Sequence, residues 1–145
     1  PKSILDQLSN IHNFKLKGTG IISFYLGCGF SYDSDGVLCQ TPRKFIEKIV
    51  DNYVYEFGMK PRDYTSPLEK GDHPEIDTSE FLESEDIRRF QSLIGSAQWA
   101  IALGRFDIMP AVMTLSSFCA APQKGHLQRA CRIIGYLNKM KHGMI

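Results

Sequence analysis

The sequence has 145 residues, of which 43% are hydrophobic, and it carries 17 basic against 16 acidic side chains. This length and apolar content are typical of one domain with a packed core and exclude an intrinsically disordered chain. The densest apolar stretch, residues 97–103, is far shorter than the ~18 residues of a membrane span, so we expect no membrane contact.

The first forty residues predict one helix and a hairpin. Apolar residues at helical spacing predict the end of an amphipathic helix over residues 3–12. Residues 21–32 are rich in aromatic and β-branched side chains and predict a strand, with residues 37–40 as its antiparallel partner. Between them, the sequence from Asp33 to Gly36 predicts a reverse turn, because Asp-Gly tolerates the positive φ of tight hairpins.

A helix and an irregular segment are expected next. Thr41 is a predicted N-cap with Pro42 at the first helical position, and an apolar stripe predicts a helix that Gly58 ends. Residues 59–83 contain three prolines and many acidic side chains, which predicts a connector with little regular structure.

Three helices are predicted in the remaining sequence. The first runs from a cap near Ser84 to Leu103. Asp107 is the predicted cap of the second, with Pro110 tolerated in its first turn and Pro122 ending it. The third extends from about Lys124 to Met140, and the short connections predict an up-down-up bundle.

These elements predict an α+β chain in which a small antiparallel hairpin with flanking helices precedes a three-helix bundle. We divide it into residues 1–61, an acidic connector over residues 62–83, and a helical part over residues 84–145. Because the chain begins at Pro1 without a basic and apolar leader, we expect a piece of a longer protein that is not secreted.

The cysteines and histidines do not have the spacing of a metal site. Cys28, Cys39, Cys119 and Cys131 form no CxxC pair, and the four histidines form no HExxH motif. We therefore expect no metal ligands in this chain, and we expect no catalytic residues. Because we also expect no secretion, we expect all four cysteines to be reduced.

Charge is distributed unevenly along the sequence. Residues 1–61 carry seven basic and six acidic side chains (+1), residues 62–87 carry two and nine (−7), and residues 88–145 carry eight and one (+7). A polyanion would be drawn to the last third. The alternative is that the two oppositely charged segments attract each other within the domain.

The predicted helix after Ser84 has an unusual polar face. Gln91, Gly95 and Trp99 are spaced four residues apart and therefore share one face. A glycine inside a helix costs about 1 kcal/mol relative to alanine, so it requires a reason. Either another helix packs closely at Gly95, or the backbone of a ligand approaches there, as at the floor of a nucleic-acid minor groove.

Two further features have a structural and a functional interpretation. Gly27 lies inside an aromatic strand sequence, where glycine marks a bulge or a close backbone approach. Arg129, Arg132 and Lys139, with Tyr136 between them, form a basic stripe on the last helix. Such a stripe suits a sugar-phosphate backbone, but it is also typical of an ordinary solvated helix face.

The order of these pieces resembles the reverse transcriptase of Ty1/copia-type long-terminal-repeat retrotransposons. The resemblance covers nearly the whole chain and lies in the segments FKLKGTGIISFYLGCGF, DGVLCQTPRKFIEKIV, TSPLEKGDHPEIDTSEFL, FQSLIGSAQWAIALGRFDI and GHLQRACRIIGYLNKMKHG. It implies the end of the polymerase palm, then the thumb, then the lead into the RNase H region.

The resemblance also implies roles for single residues. Leu26 and Gly27 correspond to the primer grip, the hairpin that holds the terminal backbone of the primer. Gln91, Gly95 and Trp99 match the spacing of the minor-groove binding track on the first thumb helix, which favours the ligand explanation of Gly95. The helix predicted after Thr41 has no close counterpart in the retroviral enzymes, although the copia group has it.

The expected function is therefore to grip and track the primer–template duplex, either RNA–DNA or DNA, without catalysis. Polymerases of this class hold two Mg²⁺ ions with aspartates, and this sequence contains no Asp-Asp pair. The expected partners are the duplex and the remaining palm and RNase H parts of the polymerase, inside the cell, in a cytoplasmic virus-like particle or the nucleus. The alternative is a non-catalytic helical protein-interaction module.

Overall fold

The computed structural model describes residues 4, 7, 10, 11 and 21–142, so the predicted helix over residues 3–12 lies largely outside the described residues. In the described part, three short antiparallel strands are followed by four α-helices, and the predicted α+β class is confirmed. The elements are β1 Phe24–Tyr25, β2 Cys28–Tyr32, β3 Leu38–Thr41, α1 Arg43–Phe57, α2 Ser84–Ala102, α3 Met109–Ser116 and α4 Lys124–Lys139, with short 3₁₀ helices at Pro74–Ile76 and Phe106–Ile108.

The sheet differs from the predicted two-stranded hairpin. Its strands follow the order β1-β2-β3, with Tyr25 paired to Cys28 across a two-residue turn. The predicted single strand over residues 21–32 is thus wrong, because Leu26 and Gly27 reverse the chain in its middle. The predicted turn after Tyr32 is confirmed, and the Asp33 carboxylate accepts the Val37 N–H there at 2.8 Å.

The ends of α1 agree with the sequence prediction to within one residue. Pro42 occupies the N-cap position and lacks a side-chain cap bond, whereas Thr41 Oγ1 accepts the Arg43 N–H at 3.4 Å. Gly58 ends the helix with a φ of 70°, the left-handed conformation that glycine adopts without steric cost.

All four helices contribute to one hydrophobic core. Fully buried side chains include Ile46 from α1, Phe90 from α2, Leu115 from α3 and Leu137 from α4. Helix α1 therefore packs directly on the helical bundle, although it precedes the connector in sequence. The division of the chain at residues 61 and 83 stays a prediction.

The predicted cap at Asp107 is wrong. Its carboxylate instead receives two hydrogen bonds from the buried Arg105 guanidinium, at 2.9 and 2.7 Å. A third bond from Arg105 reaches the Met140 carbonyl at 3.1 Å. The pair therefore fastens the loop between α2 and α3 to the end of α4. None of the helices in the described residues is both long and apolar enough to cross a membrane.

Candidate nucleic-acid interface

Gln91, Gly95 and Trp99 lie together on the solvent side of α2, and we call these three residues the α2 face. The opposite side of the helix buries Phe90, Leu93, Ile94, Ala97 and Ala100 in the core. Because buried and exposed positions alternate with helical periodicity, the core fixes which way the α2 face looks. The Trp99 side chain is 45% exposed, so much of the indole is accessible from outside.

The surface at Gly95 is open. A Cβ atom added at this glycine would meet no heavy atom within 4 Å. Of the two explanations that the sequence left open, close packing by another helix is therefore absent from the described part of the chain. Gly95 leaves a bare stretch of helix backbone between an amide side chain and an indole.

One side of the Gln91 amide is already engaged. Its Nε2 donates to the Cys119 carbonyl at 2.9 Å, in the turn that follows α3. This bond orients the amide. Because Gln91 is exposed, its carbonyl oxygen and second N–H remain available for other hydrogen bonds.

The turn at Leu26 and Gly27 has both residues in the left-handed region, with φ values of 49° and 95°. Positive φ at both central positions is the geometry of a type I′ hairpin turn, where Asn-Gly is the usual sequence. A leucine is uncommon there because its Cβ crowds the backbone. Its side chain is mostly exposed at the tip of the hairpin.

The turn is positioned next to the C-terminal end of α2. A Cβ at Gly27 would lie 3.3 Å from Phe45 Cβ and 3.5 Å from Leu103 Cδ1. Gln40 Nε2 lies 3.0 Å from Cys28 Sγ and 3.4 Å from the Leu103 carbonyl. The Leu103 N–H donates to the Trp99 carbonyl, so the hairpin turn contacts the chain one helical turn after Trp99. The sequence did not indicate the roles of Gln40 and Phe45.

Two arginines of the basic stripe on α4 are paired with the connector. Arg129 donates to both oxygens of Asp72, at 2.7 to 3.0 Å, and also to Asp77. Arg132 donates to Glu69 at 2.7 Å and lies over the Tyr64 ring at 4.3 Å. These two arginines are thus held by the connector. The alternative in which oppositely charged segments attract each other describes them better.

Lys139 differs from the two arginines. It is exposed near the C-terminal end of α4, and no carboxylate within the described ranges forms an ion pair with it. Its predicted contact with nucleic acid stays a prediction.

The hydrogen-bonding partners lower the pKa values of two connector carboxylates, Asp72 and Asp77. Burial raises the pKa of Asp77, but hydrogen bonds from Ser79 and Arg129 outweigh that effect and bring it to about 2. The hydrogen bond from Arg129 likewise lowers the pKa of Asp72. Both groups are therefore ionised near neutral pH, and the pairs with Arg129 are fully formed there.

Two features of α4 that allow this packing were missed from the sequence. A Cβ at Gly135 would collide with the Arg62 carbonyl, so the glycine lets the connector backbone touch the helix. His126 is buried, accepts the Gln123 N–H at Nδ1 and donates from Nε2 to the Pro74 carbonyl, each near 3.0 Å. In the sequence, only the two glycines of this helix, Gly125 and Gly135, could have indicated that the connector covers a second side of α4.

The described residues contain no group of three or more His, Cys, Asp or Glu side chains arranged to hold a metal ion. The four cysteines, Cys28, Cys39, Cys119 and Cys131, are all free thiols. What the α2 face and the hairpin turn can offer is binding: an amide, a bare backbone, an aromatic face and an apolar tip.

The chain is similar to one curated protein, described as "Putative transposon Ty5-1 protein", from Saccharomyces cerevisiae. The two are 25% identical over 127 residues, which cover 86% of this chain and 39% of the yeast protein. The chain thus spans about two fifths of the length of its relative. No protein-family model matches the sequence, and no solved structure matches it. The similarity relates the chain to a transposon protein.

Proposed function

We propose that this chain is part of a retrotransposon RNA-directed DNA polymerase and that it holds the primer–template duplex without performing the chemistry. The proposal is supported by the similarity to a transposon protein and by the order of the segments that resemble the palm and thumb of Ty1/copia-type enzymes. The Mg²⁺ ions of the parent polymerase would be bound by carboxylates outside this chain.

The observation that carries the proposal is the open α2 face. An exposed glycine between an amide and an indole lets a nucleic-acid strand approach the helix backbone. The amide can hydrogen-bond to base-edge acceptors in a minor groove, and the indole can pack on sugars. The Leu26–Gly27 turn next to the end of the same helix would supply a second contact, the primer grip that the resemblance implies.

Binding of this kind would tolerate any sequence, since a polymerase moves along its template. The minor groove offers few features that distinguish one base pair from another, and most of the affinity comes from phosphates. The affinity for an RNA–DNA hybrid should therefore be insensitive to sequence and should fall as the salt concentration rises.

A substitution at Gly95 tests the proposal. Gly95→Leu would place a branched side chain where the duplex backbone is expected, and we predict at least a tenfold weaker affinity, about 1.4 kcal/mol. The measurement is fluorescence anisotropy of a labelled RNA–DNA hybrid titrated with the whole chain.

The matched control is Asn52→Leu, which places the same side chain on the exposed side of α1. It should bind as the unchanged chain does. Equal affinity of the Gly95→Leu protein and the unchanged protein, with both helical by circular dichroism, would show that the α2 face is not the binding surface.

A further inference from the structure

A second positively charged surface lies beside the hairpin turn, where β1 meets the first turns of α1. The Lys44 ammonium is 4.8 Å from the centre of the Phe24 ring, and the ring is half exposed. Lys48 is exposed one helical turn further along α1, about 6 Å away along the axis. We call Phe24, Lys44 and Lys48 the lysine face.

The lysine face is continuous with the turn that the proposed function places on nucleic acid. Phe24 is two residues before Leu26 in the same hairpin. Gly27 of that turn lies against Phe45, the residue after Lys44, with 3.3 Å between a Cβ at Gly27 and Phe45 Cβ. The hairpin tip, the aromatic ring and the two lysines therefore follow one another along one side of the molecule.

These two lysines are available to an external anion, unlike the arginines of α4. The connector neutralises Arg129 and Arg132, and Arg43 pairs with Glu47 at 2.9 Å. Over residues 21–142, neither Lys44 nor Lys48 has a carboxylate within ion-pair distance.

The charged groups around the lysine face cancel in sum, so its two lysines leave this surface with a net positive charge. Arg43 and Lys141 add two cations, against the carboxylates of Glu47 and Asp51. The residues that follow α4 also act on this surface. The hydrogen bond from Arg43 lowers the pKa of Glu47, and the positive charges of Lys141 and His142 lower it further.

We propose that the lysine face binds the phosphate backbone of the duplex as it passes the hairpin turn, which makes α1 a nucleic-acid-binding element. This inference rests on the proposed function, because it extends the surface formed by the turn and the α2 face. Lysine suits the task, since a flexible ammonium group contacts phosphates as a point charge and reads no sequence. Two lysines one turn apart can reach neighbouring phosphates of a single strand.

The test compares the salt dependence of hybrid binding in two double variants. Each phosphate contact contributes about 0.9 to the slope of log affinity against log salt concentration. Lys44→Gln/Lys48→Gln should reduce the slope by about 2 and weaken binding at low salt. The matched control, Lys60→Gln/Lys70→Gln, removes the same charge from exposed positions before and within the connector, and it should keep the slope of the unchanged chain.

Replacing both lysines by arginine keeps the charge, and it therefore shows whether the slope depends on the charge or on the lysine side chain itself. Lys44→Arg/Lys48→Arg should retain the slope, and all variants should melt at similar temperatures by circular dichroism. If the unchanged chain binds the hybrid but Lys44→Gln/Lys48→Gln keeps the same salt-dependence slope, the inference about the lysine face is wrong while the proposed function stands. If the unchanged chain does not bind the hybrid at all, both are overturned.

Discussion

Glycine 95 lowers the stability of α2 and receives no packing contact in return. Gly135 also lies inside a helix, α4, but the connector backbone lies directly against it. The two glycines therefore have opposite explanations. Gly135 makes room for a neighbouring segment of the chain, whereas the surface at Gly95 is open among the described residues.

This contrast predicts opposite effects of the same substitution on stability. Gly95→Ala should raise the free energy of unfolding by about 0.5–1 kcal/mol, because alanine favours the helix and its methyl group enters open space. Gly135→Ala should lower it, since the methyl group would displace the Arg62 carbonyl. Urea denaturation followed by circular dichroism measures both, and destabilisation by Gly95→Ala would mean that the surface at Gly95 is not open.

At the scale of elements, the connector behaves as a covering for α4 rather than as a free linker. Arg129 alone joins Asp72 and Asp77, two carboxylates that are 15% and 8% exposed as side chains. Removing one partner of a buried ion pair leaves the other charge without compensation. The packing of the connector should therefore depend strongly on this one guanidinium group.

Replacing Arg129 should change both the stability and its pH dependence. We expect Arg129→Gln to cost about 3 kcal/mol near neutral pH. Since the pKa values of Asp72 and Asp77 are lowered in the folded chain, their contribution is present above pH ~4 and is lost as the pH falls towards about 2. The difference between the two proteins should thus shrink on acidification.

Urea denaturation at a series of pH values measures this difference, and Lys70→Gln is the control for loss of one exposed cation. A difference in unfolding free energy that stays constant down to pH ~2 would show that these carboxylates do not depend on Arg129.

At the scale of the whole molecule, the described residues contain no group of side chains arranged to hold a metal ion. Under the proposed function the metal-binding carboxylates belong to another part of the polymerase, so we expect the isolated chain to give no primer extension with primer, template, dNTPs and Mg²⁺. A gel assay with an intact reverse transcriptase as positive control measures this. Extension by the purified chain would overturn the assignment to a non-catalytic part.

Much of the helical part could be predicted from the sequence because local patterns specify it. The stripe that includes Phe90 and Ile94 defines α2 and its buried side, and with it the outward direction of Gln91 and Trp99. Gly58 ends α1 through its own backbone preference. Each of these features depends on residues within a few turns of each other.

The parts that could not be predicted depend on contacts between distant residues. Leu26 is not a usual turn residue, so the sequence predicts a strand that continues through it. The pairs of Arg129 join residues more than fifty positions apart, and helical periodicity cannot distinguish a covered arginine from a solvated one. Gln40, which bonds to the end of α2, carries no local sequence pattern. The apolar stripe that includes Phe45 predicts its helix but not its contact with the hairpin turn.

The left-handed leucine at the hairpin tip has a consequence for how this chain would respond to selection. A population selected in the laboratory for heat resistance alone would replace Leu26 with asparagine or glycine, which suit its φ of 49° better. Retention of a bulky apolar residue there would then require a second pressure, one that acts on what the exposed side chain touches.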